Sequence, residues 1–93
     1  MTRWRKAGDA ELSWRYWDGE AVVYNDASGD THHLDALAAE VLERLCTHAA
    51  DVEEVSQAIA NAYGLDPDDD LNAAVAGSVE RFLKFGLIEP IPT

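Results

Sequence analysis

The sequence predicts a small α+β domain in which a three-stranded antiparallel sheet is followed by three helices. Three observations support this prediction: an aromatic-rich stretch that alternates apolar and polar residues, two turn signals that divide it, and a change to helical spacing after Asp35. A period of two residues is typical of a half-buried strand, whereas apolar residues three and four positions apart are typical of an amphipathic helix.

Three consecutive strands are predicted in the first third of the chain. Residues 12–17 alternate with a period of two, and Asp18-Gly19 directly after them is a strong signal for a two-residue hairpin. Residues 21–24 form a second β-favouring run, and residues 25–30 are rich in Asn, Asp, Ser and Gly, which favour a second turn. The short segment Thr31–Leu34 is then the third strand.

Three helices are predicted by apolar residues at helical spacing, with an aspartate before each helix. Asp35 is a natural N-cap for the first helix, and Asp51 begins the second helix with a capping-box pattern. Gly64 is well placed to end the second helix. We expect the third helix to begin at Asp70 or a nearby aspartate and to end at Gly86. This order of elements is that of a winged helix-turn-helix-like domain.

A single domain is expected from residue 12 to residue 90, between two tails. Residues 1–11 are polar and mixed in charge, so we expect a loose N-terminal tail, although Trp4 could pack against the domain. Residues 91–93 form a C-terminal tail, and residues 87–89 a last extended piece. A chain of 93 residues supports one modest core and leaves little room for an enclosed active site.

The charge of the chain argues against binding to nucleic acids or membranes. Eighteen acidic residues oppose seven basic residues, for a net charge of −11. Such a surface repels phosphate backbones and anionic lipids. A basic or neutral partner is compatible, and solubility alone also explains an acidic surface. No signal peptide or membrane-spanning run is evident, so we expect a cytoplasmic protein.

The acidic residues before the third helix do not complete a metal site. Asp66, Asp68 and Asp70 have the spacing of the first three ligands of an EF-hand calcium loop. Leu71 stands where that loop needs glycine, and Gly77 stands where it needs a bidentate glutamate. Negative charge near a helix N-terminus explains the cluster better.

The histidines and the single cysteine do not form a catalytic or metal site either. His32 and His33 are neighbours on a predicted strand, so they point to opposite faces and cannot readily hold one metal. Cys46 is the only cysteine, so the chain cannot form an internal disulfide. His48 lies two residues after Cys46, and helical side chains at that spacing do not face each other. We therefore expect no metal, no cofactor and no enzymatic activity, and predict that the chain recognises another polypeptide.

The third predicted strand offers a specific way to bind a peptide. A three-stranded meander leaves two edges with unpaired backbone groups, to which an extended peptide can add as a fourth strand. A groove forms there if Thr31–Leu34 lies beside the third helix. An edge that is merely blunted by its shortness explains the pattern equally well. Exposed edges are compatible with a monomer or with a homodimer.

Several parts of the chain resemble the PqqD-like family. The matching residues in the three helices and the last turn are Leu34-Asp35, Ala38, Val41-Leu42, Leu45, Val52, Ile59, Asp70-Leu71, Val75, Phe82 and Gly86-Leu87-Ile88. The segments 14–17, 20–25 and 27–32 resemble a subset of the family associated with an HPr-kinase-related system. The resemblance covers residues 12–90, and the order of its elements along the chain makes it specific.

The resemblance implies a winged helix-turn-helix fold and a function. PqqD-like proteins are recognition elements for RiPP precursors, which are ribosomally made and later modified peptides. Such a chaperone is non-catalytic, binds the leader part of the precursor, and presents it to a modifying enzyme such as a radical SAM protein or a protein of an HPr-kinase-related system. The leader adds as a strand beside the third strand and against the third helix. By position, the contacts fall on Thr31, His32, His33, Leu34, Leu71, Val75, Ser78, Val79 and Phe82.

Two other functions are compatible with the predicted fold. A winged-helix transcription regulator needs a basic recognition helix, whereas the third helix carries only Arg81 and Lys84 as cations. A structural docking subunit of an enzyme complex would bind a fixed protein partner instead of a peptide.

The chain also departs from the family pattern, since residues 46–50 lack a glycine after the first helix and Leu87 replaces an aromatic residue. We expect the first helix to end differently.

Overall fold

The computed structural model describes residues 2–91 and confirms the predicted α+β class, with a three-stranded antiparallel sheet followed by three helices. A second, two-stranded sheet joins the two ends of the described chain. The elements in chain order are β1 (Trp4–Lys6), β2 (Leu12–Trp17), β3 (Glu20–Asn25), β4 (Asp30–Leu34), α1 (Ala36–Thr47), α2 (Val52–Tyr63), α3 (Asp69–Lys84) and β5 (Ile88–Pro90). None of these helices is long and apolar enough to cross a membrane.

The three-stranded sheet has the order β2-β3-β4, and its register decides which side chains face the helices. Asp18 and Gly19 form the two-residue turn between β2 and β3, both with positive φ, as a type I′ hairpin turn requires. Trp14 lies opposite Val23, which lies opposite His32. Val23 is fully buried, so these three side chains share the inner face of the sheet.

Aspartate side chains begin all three helices. The N–H of Ala38 donates to Asp35, and Asp51 and Glu54 form the complete reciprocal capping box. Asp68, rather than Asp70, caps α3. Each such cap stabilises a protein by about 1 kcal/mol.

The helix ends follow local backbone chemistry. Gly64 adopts the left-handed conformation after α2, with φ 66°, and Gly86 does the same after α3, with φ 74°. Both predicted ends are confirmed. After α1 the capping residue His48 is extended, with φ −140°, because no glycine is available there.

Residues 4–10, expected to form a loose tail, are instead ordered against the domain. β1 pairs antiparallel with β5, so that Arg5 lies opposite Glu89. Trp4 and Ala50 exchange two backbone hydrogen bonds of 2.8 and 3.0 Å, and Ala7 is buried. A strand of three residues is too short to show an alternating pattern, and its pairing partner lies at the other end of the chain. Local sequence therefore could not reveal it.

The core lies between the inner face of the sheet and the three helices. Its largest fully buried side chain is that of Phe82, in the last turn of α3. The buried residues that form this core are Ala21, Val23, Leu34, Ala38, Ala39, Val41, Leu42, Leu45, Val55, Ile59, Val75, Val79, Phe82, Leu87 and Ile88.

Replacement of Phe82 by alanine tests the central role of this ring. We expect Phe82→Ala to lower the free energy of unfolding by about 3–5 kcal/mol, because it removes a buried ring and leaves a cavity. Urea denaturation measures this loss. The matched control is Phe85→Ala, which removes the same atoms from a ring that is 39% exposed and should cost less than half as much. Equal losses in the two variants would contradict the assignment of Phe82 to the core.

Candidate functional site

The β4 strand forms an open edge of the three-stranded sheet. It pairs with β3 on one side, and within residues 2–91 no strand pairs with its other side. Backbone N–H and C=O groups therefore face outward along Asp30–Leu34. Such groups are a template for one more strand.

Residues of β4 alternate between the two faces of the sheet. The prediction that His32 and His33 point to opposite faces is confirmed: the His32 ring stacks on Phe85 with centroids 4.6 Å apart, whereas the His33 ring meets Trp17 edge-on at 6.1 Å. Thr31 is exposed and lies on the same face as His33, by the period of two.

Leu34 is a core residue rather than part of an open surface, since only 1% of it is exposed. Its backbone belongs to the open edge, but its side chain packs inside the domain with the core. His32 is thus the one predicted strand residue whose side chain reaches towards α3.

The predicted contact residues of α3 lie on its buried face. Leu71 is half-buried and packs against the core, and the other four are buried: Val75, Ser78, Val79 and Phe82. They share one face of the helix, which the domain itself covers, and Ser78, with 7% of its surface exposed, lies at the edge of that face. A small domain needs the whole apolar stripe of α3 for its core, so only a neighbouring flank of the helix is open to a partner.

The stack between His32 and Phe85 shows which flank of α3 turns towards β4. Positions four, seven and eleven residues before Phe85 lie on the same side of a helix. These positions are Arg81, Ser78 and Ala74, of which Arg81 and Ala74 are exposed. Sequence periodicity did not find this flank because it is neither apolar nor regularly polar.

The outer edge of β4 and this flank of α3 meet near the His32–Phe85 stack and form the two walls of a candidate cleft. Small side chains line much of the flank, and a Cβ atom placed on the nearby Gly77 would meet no other atom within 4 Å. We call this cleft the β4–α3 groove: the outer edge of residues 31–34 on one side, and Ala74, Ser78, Arg81 and Phe85 on the other.

The groove also holds a polar atom without a partner. The Nε2 atom of His32 is buried and makes no hydrogen bond to any residue that the structure describes. An unsatisfied buried polar group costs about 1–3 kcal/mol.

Within residues 2–91, no group of three His, Cys, Asp or Glu residues is placed so that it could hold a metal ion. The described residues therefore offer no metal site as an alternative to the groove. In the stretch that resembles a calcium loop, Asp68 instead accepts a hydrogen bond of 2.8 Å from the N–H of Leu71. That bond caps α3, in agreement with the interpretation of this cluster as a helix start.

Cys46 is a half-buried residue of α1 whose surroundings oppose ionisation. Burial raises the pKa of its thiol from an ordinary 9.0 to about 11. Because the thiolate is the nucleophile, this cysteine is mostly unreactive at neutral pH.

Alkylation kinetics test this protonation state. At pH 8, we expect native Cys46 to react with iodoacetamide roughly 100-fold more slowly than a thiol of ordinary pKa, because a pKa of about 11 instead of 9.0 leaves about one hundredth of the thiolate. The rate should still rise with pH beyond pH 9. The urea-unfolded protein is the control, and equal rates for the native and unfolded chains would show that burial does not protect the thiol.

The fold and the groove define a class of small α+β domains that present an open strand edge beside a helix. Residues 20–88, well over half of the chain, match the family model described as Coenzyme PQQ synthesis protein D (PqqD). The chain therefore belongs to the PqqD family, as its resemblance to PqqD-like proteins predicted.

A solved structure shares this fold. The chain is similar to TbiB1 in complex with the TbiA(beta) leader peptide, with a TM-score of 0.71 over 96% of this chain and 99% of that chain. Sequence identity is 18%, so this similarity concerns the fold. Comparison with curated proteins gives no significant match.

Proposed function

We propose that this protein is a non-catalytic peptide-binding chaperone that binds the leader of a ribosomally made precursor peptide and presents it to a modifying enzyme. The observation that carries the proposal is the open edge of β4 beside an uncovered flank of α3. Membership of the PqqD family supports it, and so does the fold shared with TbiB1, whose structure contains a leader peptide.

Strand addition explains how the groove binds a peptide. The main chain of the leader pairs with the outer edge of residues 31–34, which provides affinity without sequence preference. Every second leader side chain then points towards α3 and meets Ala74, Ser78, Arg81 or Phe85. These contacts provide specificity. The buried stripe from Leu71 to Phe82 supports the groove from below, since its side chains fix the position of α3 against the core.

The modifying enzyme is a separate protein in this proposal. A radical SAM protein or a protein of an HPr-kinase-related system fits the resemblance of segments 14–17, 20–25 and 27–32 to the subset associated with that system. A winged-helix transcription regulator is disfavoured by the charge of α3, where Arg81 and Lys84 are outnumbered by Asp69, Asp70 and Glu80.

Single proline substitutions at residues 31, 32 and 33 test strand addition. Because the N–H groups of an edge strand alternate between its partner and the open side, proline at an outward-facing N–H removes one peptide hydrogen bond and leaves the β3 ladder intact. We expect at least one of the three variants to retain its thermal unfolding temperature and to bind peptide about tenfold more weakly.

The probe is a short peptide captured from the native cell extract by the wild-type protein, identified by mass spectrometry and then synthesised with a fluorophore. Fluorescence anisotropy gives its Kd for each variant. Proline at Tyr16 in β2, the opposite edge strand, is the control. Trp17 pairs with Glu20 across the two-residue turn, so the N–H of the neighbouring Tyr16 faces outward, and this substitution should not change the Kd. Unchanged binding in all three β4 variants that remain folded would rule out strand addition at this edge.

Two adjacent exposed alanines of α3 test whether the helix flank contributes to binding. Ala74 lies on the groove side, whereas Ala73 lies about 100° further round the helix. We expect Ala74→Leu to weaken binding of the same peptide at least fivefold, because the larger side chain fills the groove. Ala73→Leu should leave binding unchanged, although both substitutions have similar helix propensity. Equal Kd values for the two variants would place the peptide elsewhere.

A further inference from the structure

Arg81 differs from most cations of this acidic chain because it makes no ion pair or side-chain hydrogen bond within the described residues 2–91. Arg3, Arg5 and Arg44 form ion pairs of 2.9 to 3.3 Å with glutamates, and Lys6 donates to two backbone carbonyls. Within residues 2–91, the basic side chains that make neither an ion pair nor a hydrogen bond are those of Arg15, Arg81 and Lys84.

Only one of these three cations lies in the groove. Arg81 is four residues before Phe85, on the helix flank that turns towards β4. Lys84 is in the same last turn of α3, about 60° round the helix from Arg81 and about 100° from Phe85, so it lies further from the strand edge than Arg81 does. Arg15 lies on the outer face of the sheet, because its register partner is Val22, a neighbour of the inward-facing Val23.

A helix C-terminus favours nearby cations, and this effect explains a positive charge at either Arg81 or Lys84. It does not explain why a guanidinium stands beside the open strand edge, where the peptide side chains would pass. In a protein with a net charge of −11, long-range electrostatics repel an acidic peptide. A carboxylate is therefore favoured only where a local, unpaired cation receives it.

The spacing along the groove relates two side chains of a bound peptide. Four residues of helix separate Phe85 from Arg81 by about 6 Å along the axis. Alternate residues of a strand point to the same face and are about 6.6 Å apart. A strand that runs along α3 with one side chain against Phe85 therefore brings the side chain two positions away to Arg81.

We propose that Arg81 is a specificity-determining residue, which selects peptides with an aspartate or glutamate two positions from an apolar residue seated on Phe85. The inference rests on the proposed function, since it describes what the same groove selects. The guanidinium can receive both carboxylate oxygens, a geometry that makes arginine–carboxylate pairs stronger than neutral hydrogen bonds. The groove thus recognises a short pattern of an apolar and an acidic residue with one residue between them.

Selection from a display library of random twelve-residue peptides tests this specificity with a defined probe. The wild-type protein should enrich acidic residues at least threefold at a position two residues from an apolar one. Arg81→Gln should abolish that enrichment. Arg15→Gln and Lys84→Gln are the controls, because the first removes an unpaired positive charge from the outer face of the sheet and the second removes one from a position further from Phe85, and both should keep the enrichment.

A peptide from the selected pool then provides an affinity measurement. Arg81→Gln should raise its Kd about tenfold or more, and Arg81→Glu should bind the peptide better after its acidic residue is changed to lysine. Selected peptides without acidic enrichment would overturn the proposal, as would enrichment that persists in Arg81→Gln or is lost equally in the two controls. Failure of the wild-type protein to retain any peptide would overturn the proposed function as well. Peptide binding without acidic enrichment would instead overturn only the role of Arg81.

Discussion

The burial of one face of α3 around Phe82 is the constraint on which the rest of the structure depends. This helix supplies Val75, Val79 and Phe82 to a core that also contains residues from the sheet and both other helices. Because the domain is small, the core uses the entire apolar stripe of α3. A partner can therefore reach only the flanks of this helix, and the flank beside β4 carries small side chains and one unpaired arginine.

The sheet positions the other wall of the groove. A tight turn at Asp18-Gly19 fixes the register of β2 with β3, and the turn at residues 26–29, where the N–H groups of Ser28 and Gly29 donate to the carbonyl of Asn25, fixes the register of β3 with β4. A shift of one residue in the second pairing would turn His32 outward and His33 towards the helix. The stack of His32 on Phe85 therefore depends on the turn between β3 and β4.

Ion pairs with glutamates occupy several of the few basic side chains of the protein. Arg3 and Arg5 lie on or beside β1 and pair with Glu54 and Glu89, so the ordered N-terminal segment keeps its cations occupied. The N–H of Gly8 and the Arg5 guanidinium hold the pKa of Glu89 below its usual range. In the proposed groove, charge recognition is therefore assigned to Arg81, since Arg3 and Arg5 are used to hold the N-terminal segment against α2 and β5.

The sequence by itself determined the α+β class, the turn between β2 and β3, and the starts of the helices at Asp35 and Asp51. Each of these features is decided by residues within about four positions of one another, so periodicity and capping rules are sufficient. Only the tertiary structure decided that Arg5 would bond to Glu89, 84 residues away, and that Val75, Val79 and Phe82 of α3 would be buried in the core of the domain. Contacts between distant segments set these outcomes, and an amphipathic pattern shows that a face is apolar without showing what covers it.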